Sequence, residues 1–261
     1  MRHCGDNRRT FCFTLILAAL ITCFGAGAYA QGADPQVTSP PTVTPQAAVA
    51  EGTPEASEVL STTGKLKLEI SAMLGVGFKS IDLAPTTSGD TMKVSGGGGF
   101  GLAITAGYGL SEHLEFDLSL GGQASTEQPA VDNADASFSR GFLRATLKYL
   151  VPVRDRVRFK FGGGVGSYGG GELDIDMTRV VGIRDIVKYD SASGVHLSGE
   201  FEALIRNDFT FVAGLRLYSV KYKATSYEQN GVAQPVAALR DEVRNLDGSG
   251  VDIFVGLAKY F

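Results

Sequence analysis

The chain has few of the side chains that usually carry chemistry. Its three cysteines, Cys4, Cys12 and Cys23, all fall in the first 30 residues. The remainder therefore has no thiol for a disulfide, a nucleophile or a metal site. Tryptophan is absent, and beyond residue 3 the only histidines are His113 and His196. Two histidines without cysteine make no metal-ligand pattern, so no metal and no cofactor are expected. After residue 30 no stretch approaches the ~20 continuous apolar residues of a membrane helix. A basic surplus is missing too. The first 30 residues hold Arg2, Arg8, Arg9 and Asp6, so without them the net charge of −4 becomes −6. That balance excludes a polybasic nucleic-acid binder.

The N-terminus has a definite plan. Three arginines precede the apolar run Phe11 to Phe24, and Ala28-Tyr29-Ala30 gives a small-x-small cleavage pattern. Residues 1–30 read as a secretory signal peptide cleaved after Ala30. A lipoprotein site at Cys23 is disfavoured, because Thr22 is bulkier than the residues such sites take. Residues 31–63 are rich in Pro, Thr, Ala and Gln without a lasting apolar period. They read as a disordered periplasmic linker, acting as a spacer. The folded domain is expected over 64–261.

In that domain eight segments alternate with a period of two: roughly 65–79, 98–110, 113–124, 138–151, 156–168, 192–206, 208–223 and 249–261. Leu114, Phe116, Leu118 and Leu120 oppose Glu115, Asp117 and Ser119; Val195, Leu197 and Phe201 oppose His196, Ser198, Glu200 and Glu202. Short turns follow the second, fourth and sixth segments, and long polar connections follow the first, third, fifth and seventh. An open sheet edge in lipid would leave backbone groups unpaired, so a membrane reading requires closure. Apolar-out, polar-in strands with short turns at one end and long loops at the other predict an all-β, eight-stranded antiparallel up-and-down transmembrane β-barrel. A secreted β-sandwich also alternates. It does not explain the loop asymmetry, nor the aromatics Tyr108, Phe116, Tyr149, Phe159, Phe209, Phe211 and Phe261 gathered near one set of strand ends.

The polar face supplies the candidate site. A charge network is expected in the lumen from Lys67, Glu69, Glu115, Asp117, Arg144, Lys148, Arg158, Lys160, Glu200, Glu202, Arg206, Arg216 and Asp252, with Glu115 and Arg144 one proposed pair. Buried charges must pair or stay wet. Eight strands enclose little more than side chains, so a salt-bridged plug is the first reading and a narrow polar pore the second. Inward glycines such as Gly107, Gly162 and Gly164 make room for long charged neighbours. The third outer loop, Glu172–Lys188, mixes acids with Val and Ile and suggests a short helix.

Two motifs carry less than their letters suggest. Gly164-Val-Gly166-Ser-Tyr-Gly169 matches GxGxxG, but no helix follows to receive a pyrophosphate. His196-Leu-Ser198 with Glu200 and Glu202 has the inventory of a serine hydrolase. It resembles the H-x-S pair of barrel-embedded lipid A deacylases, yet Gly199 stands where they have Asn, and these groups face inward. Polar filling is the preferred reading, and the chain is not expected to be an enzyme.

The chain closes on VDIFVGLAKYF. Ile253, Val255, Leu257 and Phe261 share one face, broken only by Lys259. This strand, with the cleavage pattern and strand plan, resembles the small eight-stranded bacterial outer-membrane barrel superfamily, with its OmpA-like, OmpX-like and OmpW-like members. The resemblance covers about 65–261. It implies residence in the bacterial outer membrane and contact with lipid and lipopolysaccharide. It also implies recognition of the C-terminal strand by the barrel-assembly machinery, a monomeric state and no nucleic-acid partner. No appended peptidoglycan-binding domain is expected. Function is expected in envelope integrity or surface interaction through the outer loops, with a porin-like channel as the alternative and a lipid-modifying enzyme third.

Overall fold

A computed structural model of the chain describes residues 61–85, 91–127, 133–206 and 208–261. The expected signal peptide, and the linker through residue 60, lie outside the described residues. The strands are β1 (Leu66–Gly77), β2 (Ser80–Pro85), β3 (Thr91–Ser95), β4 (Gly98–Ser111), β5 (Leu114–Thr126), β6 (Asp135–Arg154), β7 (Val157–Met177), β8 (Ile183–Tyr189), β9 (Ala192–Arg206), β10 (Phe209–Val220), β11 (Ala224–Gln229), β12 (Val232–Gln234) and β13 (Gly250–Tyr260). A single helical turn, α1 (Asp241–Arg244), precedes the last of them.

Eight of these close into an antiparallel barrel in the order β1-β4-β5-β6-β7-β9-β10-β13, with β13 back against β1. They correspond to the eight alternating segments of the sequence. Closure is staggered. From Lys67 the paired residues run Gly107, Asp117, Thr146, Gly164, His196, Tyr218 and Gly250, whereas the direct partner of Lys67 on β13 is Tyr260, ten residues further on. A ten-residue offset over eight strands tilts them by about 40° and gives a backbone radius of about 8 Å. That interior is wide enough for side chains and little else.

The pleat sorts the residues. On β1, Leu68, Ile70 and Leu74 face outward and are exposed, while Lys67, Glu69 and Ser71 are buried. The same inversion recurs on β5, where Leu120 is 64 % exposed and Glu115 and Asp117 are 0 %. A water-soluble sandwich would hide the leucines and expose the acids, so this distribution removes that alternative. At the short-turn end Tyr108, Phe116, Tyr149, Phe159, Phe209 and Phe261 stand outward, and Phe78 and Phe100 do so at the other. The Lys259 ammonium lies 5.1 Å from the Phe209 ring and 4.9 Å from that of Phe261. A cation over aromatic faces is a favourable setting for a charge on an apolar face.

Above the barrel, β6 and β7 run on. A membrane crossing takes about 9–11 tilted residues; β6 has 20 and β7 has 21. On β7 the alternation changes phase at Gly170, whose φ is +64°. Gly141 pairs with Gly169 but Ser139 pairs with Glu172, so β7 carries an extra residue there. Below this bulge even-numbered β7 residues such as Tyr168 are buried; above it Leu173 and Ile175 are buried instead. A bulge of this kind turns the rest of a strand over.

β8 pairs with this upper part of β7, β11 with β8, and β12 with β11. The expected helix in Glu172–Lys188 is therefore corrected to the end of β7, a turn and β8. Leu173, Ile175 and Met177 keep a period of two, and Gly182, at φ +73°, supplies the turn. The β2–β3 hairpin and α1 lie over this sheet. Ile81, Met92, Val94, Phe138, Leu173, Val187, Tyr222, Val243 and Leu246 are buried together with it. The rings of Phe138 and Tyr222 are 5.5 Å apart, and the Tyr189 hydroxyl donates to the Val243 carbonyl at 2.8 Å. The long connections thus form a cap with an ordinary apolar core.

Candidate functional site

Inside the barrel the pleat aims charged side chains from five strands, and Tyr260 from a sixth, at one level. The Lys67 ammonium lies 2.6 Å from Glu115, 2.7 Å from Asp117 and 3.4 Å from Glu69. Lys148 bridges Asp117 at 2.5 Å and Glu200 at 2.6 Å. Lys160 is 2.8 Å from Glu115 and 2.6 Å from Glu202, and donates to the Tyr260 hydroxyl at 2.9 Å. Arg158 donates to Glu202 at 2.8 Å and to Tyr260 at 2.6 Å, and reaches Thr62 at 3.4 Å. The result is one connected network of four cations and five carboxylates near the short-turn end. Every member is at most 4 % exposed.

Such a network depends on small neighbours. Gly107 on β4 faces it, and a Cβ there would sit 2.2 Å from an Asp117 oxygen and 2.8 Å from Cε of Lys67. Thr62 is also buried against the network, and Thr63 bridges to Gly109, so residues before Gly64 contact the barrel.

A second polar group closes the other end. Arg140 donates to the carbonyls of Gly248 at 2.8 Å and Gly96 at 3.2 Å, and to Gln123 at 2.8 Å. Gln123 in turn donates to Asp252 at 2.8 Å. The Arg140 guanidinium lies 4.8 Å from the Tyr218 ring, and the Tyr218 hydroxyl accepts from the Gly98 amide at 2.7 Å. Arg140 thereby ties the connection before β4 to the one before β13. Between the two groups lie Arg144, Arg216, His196, Ser198, Phe142, Tyr168 and Phe254, all buried.

Twelve of the thirteen lumen candidates are inside: Lys67, Glu69, Glu115, Asp117, Arg144, Lys148, Arg158, Lys160, Glu200, Glu202, Arg216 and Asp252. Arg206 is not. Thr210 pairs with Leu204 but Phe209 with Arg206, so β9 bulges at its last residues and Arg206 is exposed at the turn. The proposed Glu115–Arg144 pair is also corrected. Glu115 stands opposite Lys148 and bonds Lys67 and Lys160, while Arg144 stands opposite Ser119, with its nearest carboxylate oxygen on Asp252 at 3.9 Å. Arg140 is the main residue missing from the sequence reading. It shares the parity of Arg144 on β6, so its inward facing was readable, but the loop carbonyls it binds are not close in sequence.

The His196–Ser198 pair does not assemble as a dyad. His196 Nε2 hydrogen-bonds Thr146 Oγ1 at 2.8 Å, and neither His196 Nδ1 nor Ser198 Oγ has a partner among the described residues. At the C-terminus Ile253, Leu257 and Phe261 point outward and are exposed, with Val255 partly covered. No cluster of potential metal ligands occurs among the described residues.

The family model of the outer membrane protein beta-barrel domain matches residues 16–237. No curated protein matches the chain. Among solved structures it is similar to the outer membrane protein OprG from Pseudomonas aeruginosa, at 14 % identity, covering 77 % of this chain and 97 % of that one with a TM-score of 0.50. Neisserial surface protein A is also similar, at 14 % identity over 76 % and 99 % of the two chains with a TM-score of 0.45. So is Ail of Yersinia pestis, at 11 % identity over 76 % and 99 % with a TM-score of 0.43. At such identity the likeness is one of fold.

Proposed function

This chain belongs to the outer membrane protein beta-barrel domain family, and from that premise we propose a bacterial outer-membrane barrel whose lumen is closed and whose extracellular cap is its working surface. The observation that carries this reading is the network of Lys67, Lys148, Arg158 and Lys160 with five carboxylates. Opening a path through it means separating buried ion pairs, and each stranded charge costs about 3–5 kcal/mol. Arg140 and the cap core lie over the other mouth.

The cap supports the surface role. Its sheet ends in two adjoining turns, where Asn230 receives and returns hydrogen bonds with Arg184 and Gly182. Val180, Val181 and Val232 at these turns are each more than half exposed. A rigid, partly apolar tip held away from the membrane suits a protein contact better than solute passage. The barrel acts as a monomer in contact with lipid and lipopolysaccharide, and its outward Ile253, Leu257 and Phe261 belong to the assembly signal. With His196 engaged by Thr146 rather than Ser198, a hydrolase has no support.

Planar-bilayer recording tests the closed lumen. The refolded full chain should show no steady single-channel openings, and reproducible ohmic steps overturn the reading. A boiled-versus-unboiled gel shift confirms that the recorded protein is folded.

A further inference from the structure

Above the floor network the lumen contains charge that the protein does not balance. Among the described residues Arg140, Arg144 and Arg216 share one carboxylate, Asp252, whereas the floor has five carboxylates for four cations. Arg140 is satisfied by carbonyls and Gln123. Arg144 is not: it is 0 % exposed, yet none of its three guanidinium nitrogens makes a hydrogen bond among the described residues. It reaches across the barrel with its guanidinium 3.6 Å from the Phe142 ring centroid, and Asp252 Oδ2 at 3.9 Å is beyond hydrogen-bond range. Arg216 Nε, Tyr168 Oη and Ser198 Oγ are likewise without partners among the described residues. Across the sheet Arg216 stands opposite both Ser198 and Asp252, which puts these three at one level, and the Arg144 guanidinium lies 5.3 Å from the Tyr168 ring.

What this level lacks has a definite chemistry. Guanidiniums donate only, and both hydroxyls can donate. A buried donor without an acceptor carries a desolvation penalty, larger when it is charged. The missing partner is therefore an acceptor with negative charge. The floor network below and the Arg140 clasp above exclude a large one. Asp252 gives Oδ1 to Gln123, and its Oδ2, also without a hydrogen-bond partner among the described residues, is the one carboxylate oxygen left to face two guanidiniums, so a negative charge is still wanting. We propose that the centre of the lumen binds a small monovalent inorganic anion of chloride size between Arg144 and Arg216, with the Ser198 and Tyr168 hydroxyls as further donors. The site stands whether or not the barrel conducts.

Bromide substitutes for chloride and scatters anomalously. Crystals of the full chain grown in bromide should show an anomalous peak beside Arg144 and Arg216. In detergent, replacing gluconate by chloride at equal ionic strength should raise the unfolding temperature saturably, by about 2–4 °C. Arg144→Met should abolish that saturable rise while retaining the heat-dependent gel shift. Should that variant fail to fold, Ser198→Ala should raise the half-saturating chloride concentration severalfold. A lumen without a bromide peak, or equal melting of the unmodified protein in both salts, overturns the proposal.

Discussion

Replacing Lys160 by Met tests the floor network most directly. The side chains have similar length, so packing changes little while the charge and three donors go. In the intact barrel the Lys160 ammonium serves Glu115, Glu202 and Tyr260 within 2.9 Å at 1 % exposure. Without it Glu115 relies on Lys67 and the Tyr260 hydroxyl, and Glu202 relies on Arg158. Breaking a buried pair by removing one partner costs about 3–5 kcal/mol. With a urea dependence of about 2 kcal/mol per M, the midpoint should fall by about 2 M. The assay is reversible urea unfolding in lipid vesicles, followed by tyrosine fluorescence and gel shift. A second substitution, Glu202→Gln, should then cost clearly less in the Lys160→Met background than alone. Lys65→Ala is the control. Its 3.0 Å pair with Asp208 lies at the exposed rim, where such pairs contribute at most about 1 kcal/mol. If Lys160→Met costs no more than Lys65→Ala, the lumen is wet enough to screen its charges and the closed floor is wrong.

Other consequences follow from the same geometry. Gly107→Ala places a methyl against Asp117 and Lys67 and should lower folded yield, whereas Gly231→Ala, at φ +76° with open space around it, should cost only about 1 kcal/mol; gel-shift yield and urea midpoints separate the two. Arg140→Gln should speed proteolysis of the cap while the barrel keeps its gel shift, because the ties to Gly96 and Gly248 are lost. Deleting Phe261 should reduce assembled protein in cells without abolishing refolding in detergent. Partial burial pushes the Asp247 carboxyl up, but hydrogen bonds from Ser249 and the nearby Lys79 ammonium outweigh this and hold it below the usual range. Its contribution is present above the unfolded value of about 4 and is lost as pH falls through the lower folded value. Amide exchange near Ser249, corrected for intrinsic rate, should rise at low pH and be flat in Asp247→Asn.

The barrel was legible because its signal is parity. Leu114 to Leu120 against Glu115 to Ser119 determines which residues face inward without knowledge of any partner strand. Pairing is another matter. Glu115 meets Lys148, Lys67 and Lys160 rather than Arg144, because the ten-residue stagger is a property of closure and leaves no mark in a single strand. Arg206 failed for a local reason: a bulge at the end of β9 undoes parity within three residues. The cap failed through length. β12 has three residues, β3 five and β2 six, too few for alternation to stand out from polar loops. Arg140 faces where its parity says, yet its clasp depends on Gly96 and Gly248, brought near only by folding.

The extra residue at Gly170 also has a meaning for the membrane. Below it the outward side of β7 carries Phe159, Phe161 and Val165; above it, Glu172, Asp174 and Asp176. Ser139 and Ser193 flank the change on the neighbouring strands. From Val157 to Ser167 a strand tilted by about 40° rises roughly 25 Å, the height of an outer-membrane apolar band. The bulge therefore acts as a depth mark: it sets how far the protein sinks into the bilayer, and loops beyond it can lengthen or diverge without disturbing that seat.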